Sequence, residues 1–204
     1  LVKGEKLAEV IQSKIGTGLI EDLPIKFTAV AADIATEKEH WFQTGPIDQA
    51  IRASVSLPLL FTPHTVDGVQ LIDGGILNPT PIEPTLGDDT DLTIAVDLGG
   101  PMIAETIPEP EKAKSPWQQK MDDFLDSMRF AESKPKDQWD MFYITDQSFN
   151  TMQNAIARSR MADNPPDHLI AIPRNKCGTL EFDRSAELVE YGYQLAEEQL
   201  SGKL

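Results

Sequence analysis

The residues best equipped for chemistry are Asp73, Gly74 and Gly75, in the run Leu71-Ile72-Asp73-Gly74-Gly75-Ile76-Leu77-Asn78-Pro79-Thr80-Pro81-Ile82. A carboxylate delivered at the end of an apolar strand can act as a general base. The two glycines let the backbone turn sharply and admit a close neighbour where a Cβ would stand. The same pattern also opens ordinary loops, because Asp is a good turn and cap residue. At the level of these residues both readings of Asp73 stay open.

The elements that must position Asp73 are legible on both sides. Thr65-Val66 and Val69-Gln70-Leu71-Ile72 are β-prone runs split by Asp67-Gly68, the dipeptide a type I′ hairpin turn demands. Gly45-Pro46 opens a helix from Ile47 to about Val55, and Pro58 prevents its continuation. Ile25 to Ala32 reads as a buried strand ending at Asp33, and Trp41-Phe42 continues as a short strand.

Three flanking segments carry a resemblance. Arg52, Ala53, Ser54, Pro58, Phe61 and Pro63 precede the hairpin; Asp73, Gly74 and Gly75 follow it; Asn78, Pro79 and Pro81 come next. Together they resemble the second half of the patatin-like phospholipases, specifically from Gly4 to Leu98 and more loosely from Phe149 to Leu200. Ser56 stands where that family usually has Ala, a departure expected to touch no chemistry.

The resemblance implies an acyl hydrolase that cleaves lipid carboxylic esters with a Ser-Asp dyad and no His. Asp73 is then the catalytic base. Gly74, Gly75, Asn78 and Pro79 support it, and Asp33, Ser54, Pro58 and Phe61 are candidates for the rim of the site. Burial against Phe61 and the apolar strand is expected to raise the Asp73 pKa, backbone N–H groups to lower it, and the group to stay ionised at neutral pH. The family's nucleophile lies in a Gly-x-Ser-x-Gly elbow after a Gly-rich oxyanion loop, and no serine here has Gly at both −2 and +2. The expectation is a C-terminal portion that supplies the base, is inactive alone, and has the missing N-terminal half as a partner.

The rest of the chain fits an α/β class. Helical spacing covers Gly4 to Ile15 (with Leu7, Val10, Ile11 and Ile15 as the apolar stripe) before Gly16, and an apolar strand runs from Leu92 to Leu98. A helix from about Thr145 to Met161, a strand over His168–Ile172 and a helix from near Asp183, burying Leu188, Tyr191, Leu195 and Ala196, close the chain. The expected organisation is a three-layer fold with a mainly parallel sheet flanked by helices. Residues 1–100 hold the core with the Asp-Gly-Gly motif, 101–144 a Pro-rich acidic excursion or lid, and 145–204 the closing helix–strand–helix. Within the excursion, Trp117 to Phe130 can form an amphipathic helix with Met121, Phe124, Leu125 and Met128 on one face.

Composition narrows the partners. A net charge of −15 repels nucleic acid and argues against docking by charge to anionic lipid surfaces. The single Cys177 cannot form an internal disulfide, which favours a cytoplasmic location, with peripheral membrane contact still open. No cofactor is expected. Asp88, Asp89 and Asp91 lack the Gly and terminal Glu of a calcium loop, and His40, His64 and His168 lack zinc-helix spacing, so no metal is expected. Ile94 to Gly100 resembles a sugar-kinase phosphate loop, yet Pro101 takes the place of the needed hydroxyl residue and removes an N–H donor. The competing non-enzymatic reading is a lipid- or protein-binding module on the same scaffold. Either form has an exposed sheet edge, a route to homo-oligomers.

Overall fold

A computed structural model describes residues 4–58, 60–104, 141–178 and 181–201. The chain divides into two compact units, one of Leu1–Asp91 with Phe149–Pro166, the other of Leu92–Ser148 with Asp167–Leu204. The expected lid helix from Trp117 to Phe130 lies outside the described residues.

In the first unit, helix α1 (Glu5–Ile15) is followed by strands β1 (Ala29–Asp33) and β2 (Lys38–Phe42), helix α2 (Ile47–Ser54), and strands β3 (His64–Val66) and β4 (Val69–Asp73). The four strands form one sheet in the order β2-β1-β4-β3. Strand β1 is central and its residues Ala29 to Ala32 are buried. Three of those four are alanines, which lets α2 pack close on the strand through Ala50 and Ala53, both fully buried. Ile20, Phe42, Ile47 and Leu71 complete this core, with Phe27 and Ile51 packed against it. Leu71 is wholly enclosed, a burial worth about 1.5–3 kcal/mol relative to exposure.

The Asp67-Gly68 turn forms as its residues require. Asp67 has φ 50° and Gly68 φ 81°, the left-handed pair of a type I′ turn, and Val66 pairs directly with Val69. Helix α1 is present; along it Val10 and Ile15 are exposed, and Ala8 and Ile11 are half-buried.

The second unit holds β5 (Ile94–Gly100), the early turns of α3 (Met141–Asp163), β6 (His168–Pro173) and α4 (Ser185–Leu200). Strands β5 and β6 pair in parallel. Leu188, Tyr191, Leu195 and Ala196 do share one face of α4, though all four are half-buried rather than enclosed, and Asp183 lies in a short 3-10 turn ahead of the helix.

The α/β class is therefore present, with one difference in topology. The parallel pairing is β5 with β6, whereas the sheet that carries Asp73 is antiparallel throughout. The reason is connection length. Short turns join β1 to β2 and β3 to β4, and a parallel crossover needs a dozen or more residues. Although β5 is apolar, Ile94, Val96 and Leu98 on one face are exposed and Ala95 on the other is buried. Among the described residues no helix is long and apolar enough to cross a membrane.

Candidate active site

Strand β4 places Asp73 opposite Ala31 of β1, and the Asp73 N–H donates to the Ser56 carbonyl at 3.1 Å. Asp73 then caps the turn that follows: its Oδ1 accepts from the Gly75 N–H at 2.7 Å, closing the 3-10 turn Gly74–Ile76. The turn is completed by the N–H groups of Leu77 and Asn78, which donate to the Gly74 carbonyl at 3.0 and 2.9 Å.

Ser56 matters more than its sequence position suggested. It is fully buried, accepts from Arg52 Nη1 at 2.6 Å and donates to the Arg52 carbonyl at 2.8 Å. This pair stiffens the segment whose carbonyl holds the Asp73 backbone. An alanine at position 56 would remove both bonds.

Asp73 opens onto a cavity of about 310 Å³. Phe27, Ile51, Val55, Pro79 and Pro81 form an apolar wall, and Thr28, Ser54 and Asn78 add polar groups beside the carboxylate. Of the site residues expected from sequence, Ser54, Asp73, Gly74, Gly75, Asn78 and Pro79 line this cavity together. Asp33, Pro58 and Phe61 do not. Antiparallel pairing explains Asp33: β1 and β4 run in opposite directions, so Asp33 pairs with Leu71 and its end of β1 points away from Asp73. There Asp33 accepts from the Thr36 hydroxyl at 2.6 Å and the Ala35 N–H at 2.9 Å, which hold its carboxyl below the usual range. The Phe61 ring lies 5.5 Å beneath the Arg52 guanidinium instead of against Asp73.

Burial pushes the Asp73 carboxyl above its ordinary pKa, and the Gly75 N–H offsets only part of this. The consequence for stability has a definite sign. With its pKa raised on folding, Asp73 binds more protons folded than unfolded, so its contribution is complete below pH 3.8 and is lost as pH rises through the folded value. Asp73→Asn removes that loss while keeping the acceptor for Gly75. Its Tm should exceed wild type at pH 7, and the gain should shrink as the pH falls through the raised Asp73 pKa, with none left below 3.8. Calorimetry at the two pH values checks this; equal gains at both would mean that burial of the charge is not the cause.

Three further residues were missed from sequence. Glu39 of β2, Glu83 and Arg160 of α3 converge behind Asn78, whose amide nitrogen donates to both carboxylates. Nothing in local spacing marks them, since each looks like a charge on a solvated face. Phe27, Thr28 and Ile51 also reach the cavity without a motif to signal it. No group of three or more His, Cys, Asp or Glu that could hold a metal occurs among the described residues.

Residues 1–86 match the family described as patatin-like phospholipase. An uncharacterized NTE family protein of Mycobacterium bovis is 31% identical over 250 residues, covering 98% of this chain and 69% of its own length. A second such protein of the same organism is 36% identical over 98 residues, covering 48% of this chain and 17% of its own. A lysophospholipase, NTE1, of Pyricularia oryzae is 24% identical over 199 residues, or 97% of this chain and 13% of its own.

Proposed function

This chain belongs to the patatin-like phospholipase family, and from that premise we propose that it supplies the base of a serine-type lipid acyl hydrolase. The observation that carries the reading is the half-buried Asp73 carboxylate, its pKa raised by burial, on the lining of an apolar-walled cavity. Phe27, Ile51, Val55, Pro79 and Pro81 offer the surface an acyl chain needs, while Asp73 faces the polar ester. A relative named as a lysophospholipase supports a lipid carboxylic ester as substrate.

A serine hydroxyl attacks an ester poorly until a positioned base takes its proton. On this reading the serine Oγ bonds to the carbonyl carbon, its proton passes to Asp73, and the negative charge moves to the carbonyl oxygen. Collapse expels the alcohol, which takes the proton back from Asp73. Water then attacks the acyl-serine, again losing its proton to Asp73; collapse breaks the acyl–Oγ bond, the serine Oγ takes that proton back from Asp73, and the acid leaves. Burial, by raising the pKa, makes Asp73 a stronger base than an exposed carboxylate.

The sequence contains no Gly-x-Ser-x-Gly. On this reading the nucleophile and oxyanion loop are supplied by an N-terminal half that docks on this chain; a second copy of the chain could pair at an exposed sheet edge but would bring no elbow. A cytoplasmic setting, with contact to lipid at the cavity, goes with this reading.

The purified chain should hydrolyse neither short- nor long-chain p-nitrophenyl esters above a heat-treated control. Turnover that disappears in Asp73→Asn would place the nucleophile within the chain and overturn this part of the proposal. The same assay on a longer protein carrying the elbow separates enzyme from binding module: hydrolysis is expected, and its absence favours a scaffold that binds lipid or protein without cleaving.

A further inference from the structure

The turn that bears Asp73 begins with two adjacent glycines, the least constrained backbone a protein can use. Something must hold it if the carboxylate is to point in one direction. At its start, Asp73 Oδ1 and the Gly75 N–H provide one bond. Its far end is held from another part of the sequence. Arg160 donates from Nη1 to Glu83 Oε1 at 3.0 Å and from Nη2 to Glu39 Oε1 at 2.8 Å. The two glutamates turn their remaining oxygens to one amide, Asn78 Nδ2, at 3.2 Å from Glu39 and 2.8 Å from Glu83. Arg160 Nη2 also lies 3.5 Å from the Leu77 carbonyl. Trp41 Nε1 donates at 2.7 Å to Glu39 Oε2, the oxygen that also accepts from Asn78.

We propose that Arg160 is a positioning residue for the Asp73 carboxylate, acting through Glu39, Glu83 and Asn78 to set the geometry of the Asp73–Asn78 turn. Exposed ion pairs contribute little, but the Glu39 and Glu83 side chains are only 13% and 17% exposed. Burial works against the charge on Glu83, yet bonds from Asn78 and Arg160 prevail and hold its carboxyl below the usual range. The guanidinium is suited to this task because its two Nη atoms address two carboxylates in one plane; a lysine is a single point charge. Gln153, two helical turns before Arg160 on the same face of α3, lies over the start of the turn, its Nε2 3.0 Å from where a Cβ on Gly75 would be. One face of one helix thus touches both ends of the turn.

The proposal rests on the reading of Asp73 as the base, and it is tested without substrate. Carboxyl-carbon NMR titration of Asp73 is compared in the wild-type chain, Arg160→Met and Glu83→Gln. A glutamine at position 83 must turn its NH₂ toward either Arg160 or Asn78, so one of the two bonds fails while the volume is kept. In both variants the Asp73 midpoint is expected to move down toward the ordinary carboxyl range, as the turn loosens and water reaches the group, with circular dichroism unchanged. A residue that only stabilised the fold would lower Tm and leave the midpoint in place. An unmoved midpoint in folded Arg160→Met and Glu83→Gln overturns the proposal; if Arg160→Met does not fold, Glu83→Gln decides by the same shift. Failure of ester hydrolysis in the longer protein that carries the elbow, by contrast, would remove the role of Asp73 as base and leave the titration result standing.

Discussion

Asp73→Asn, in a protein that carries this chain together with a Gly-x-Ser-x-Gly elbow, is expected to lower kcat by about 10² to 10⁴ with the fold intact. The asparagine keeps the shape of the side chain and the acceptor for Gly75, and loses only the ability to take a proton. KM should change far less than kcat, since the apolar wall that binds the acyl chain is untouched. In the wild type, kcat should fall as pH drops through the raised Asp73 pKa, because the protonated carboxyl is no longer a base. Two other strand-borne acids serve as controls. Asp33 caps its own loop away from the cavity, and Asp97, in the second unit, accepts from the Gly99 N–H at 2.9 Å. Asp33→Asn and Asp97→Asn should therefore cost little. Near-full activity in Asp73→Asn, or a greater loss in either control, would show that the base is elsewhere.

What the sequence disclosed and what it hid divide along a physical line. Features set by neighbouring residues were legible: the Asp67-Gly68 turn, the start of α2 after Gly45-Pro46, and the delivery of Asp73 at the end of an apolar strand. Asp73, Gly74, Gly75, Asn78 and Pro79 lie within seven positions, so a single turn brings them to one cavity with Ser54. Strand direction was not legible, because alternation of side chains is the same in parallel and antiparallel sheets. The resemblance put Asp33 at the rim, and strand direction takes it away: β1 and β4 are antiparallel, so their C-terminal acids do not come together. Arg160 was hidden for a different reason. It meets Glu39 across 121 positions and Glu83 across 77, and a charged residue on a helix carries no local mark of its partner. Phe61 was assigned to the cavity by its place in a motif, whereas Arg52 takes its ring face for a cation–π contact.

Gly74→Ala is expected to be the most damaging single methyl in the first unit. A Cβ at this position would stand 2.3 Å from the Val30 carbonyl oxygen, 2.6 Å from its carbon and 3.0 Å from the Ala31 nitrogen. The requirement is for space and not for an unusual φ, since among the described residues the positive-φ glycines are Gly16, Gly45 and Gly68. The neighbours cannot give way easily. Val30 and Ala31 are backbone of β1, which is paired on one side with β2 and on the other with β4. Gly75 is the instructive comparison, because a Cβ there meets the movable tip of Gln153 at 3.0 Å and the Asp73 carboxylate at 3.1 Å. Forcing a methyl into a packed interior costs about 1–3 kcal/mol, and a rigid backbone neighbour puts Gly74→Ala at the upper end. At roughly 2–4 °C per kcal/mol for a chain of this size, Tm should fall by about 6 to 12 °C. The turn must also lift from β1 to make room, carrying Asp73 with it, so activity in the longer protein should drop even below the melting range. Gly75→Ala should lose distinctly less stability. A Gly74→Ala variant that melts like the wild type would mean that the turn does not lie against β1 as closely as the Val30 contact requires.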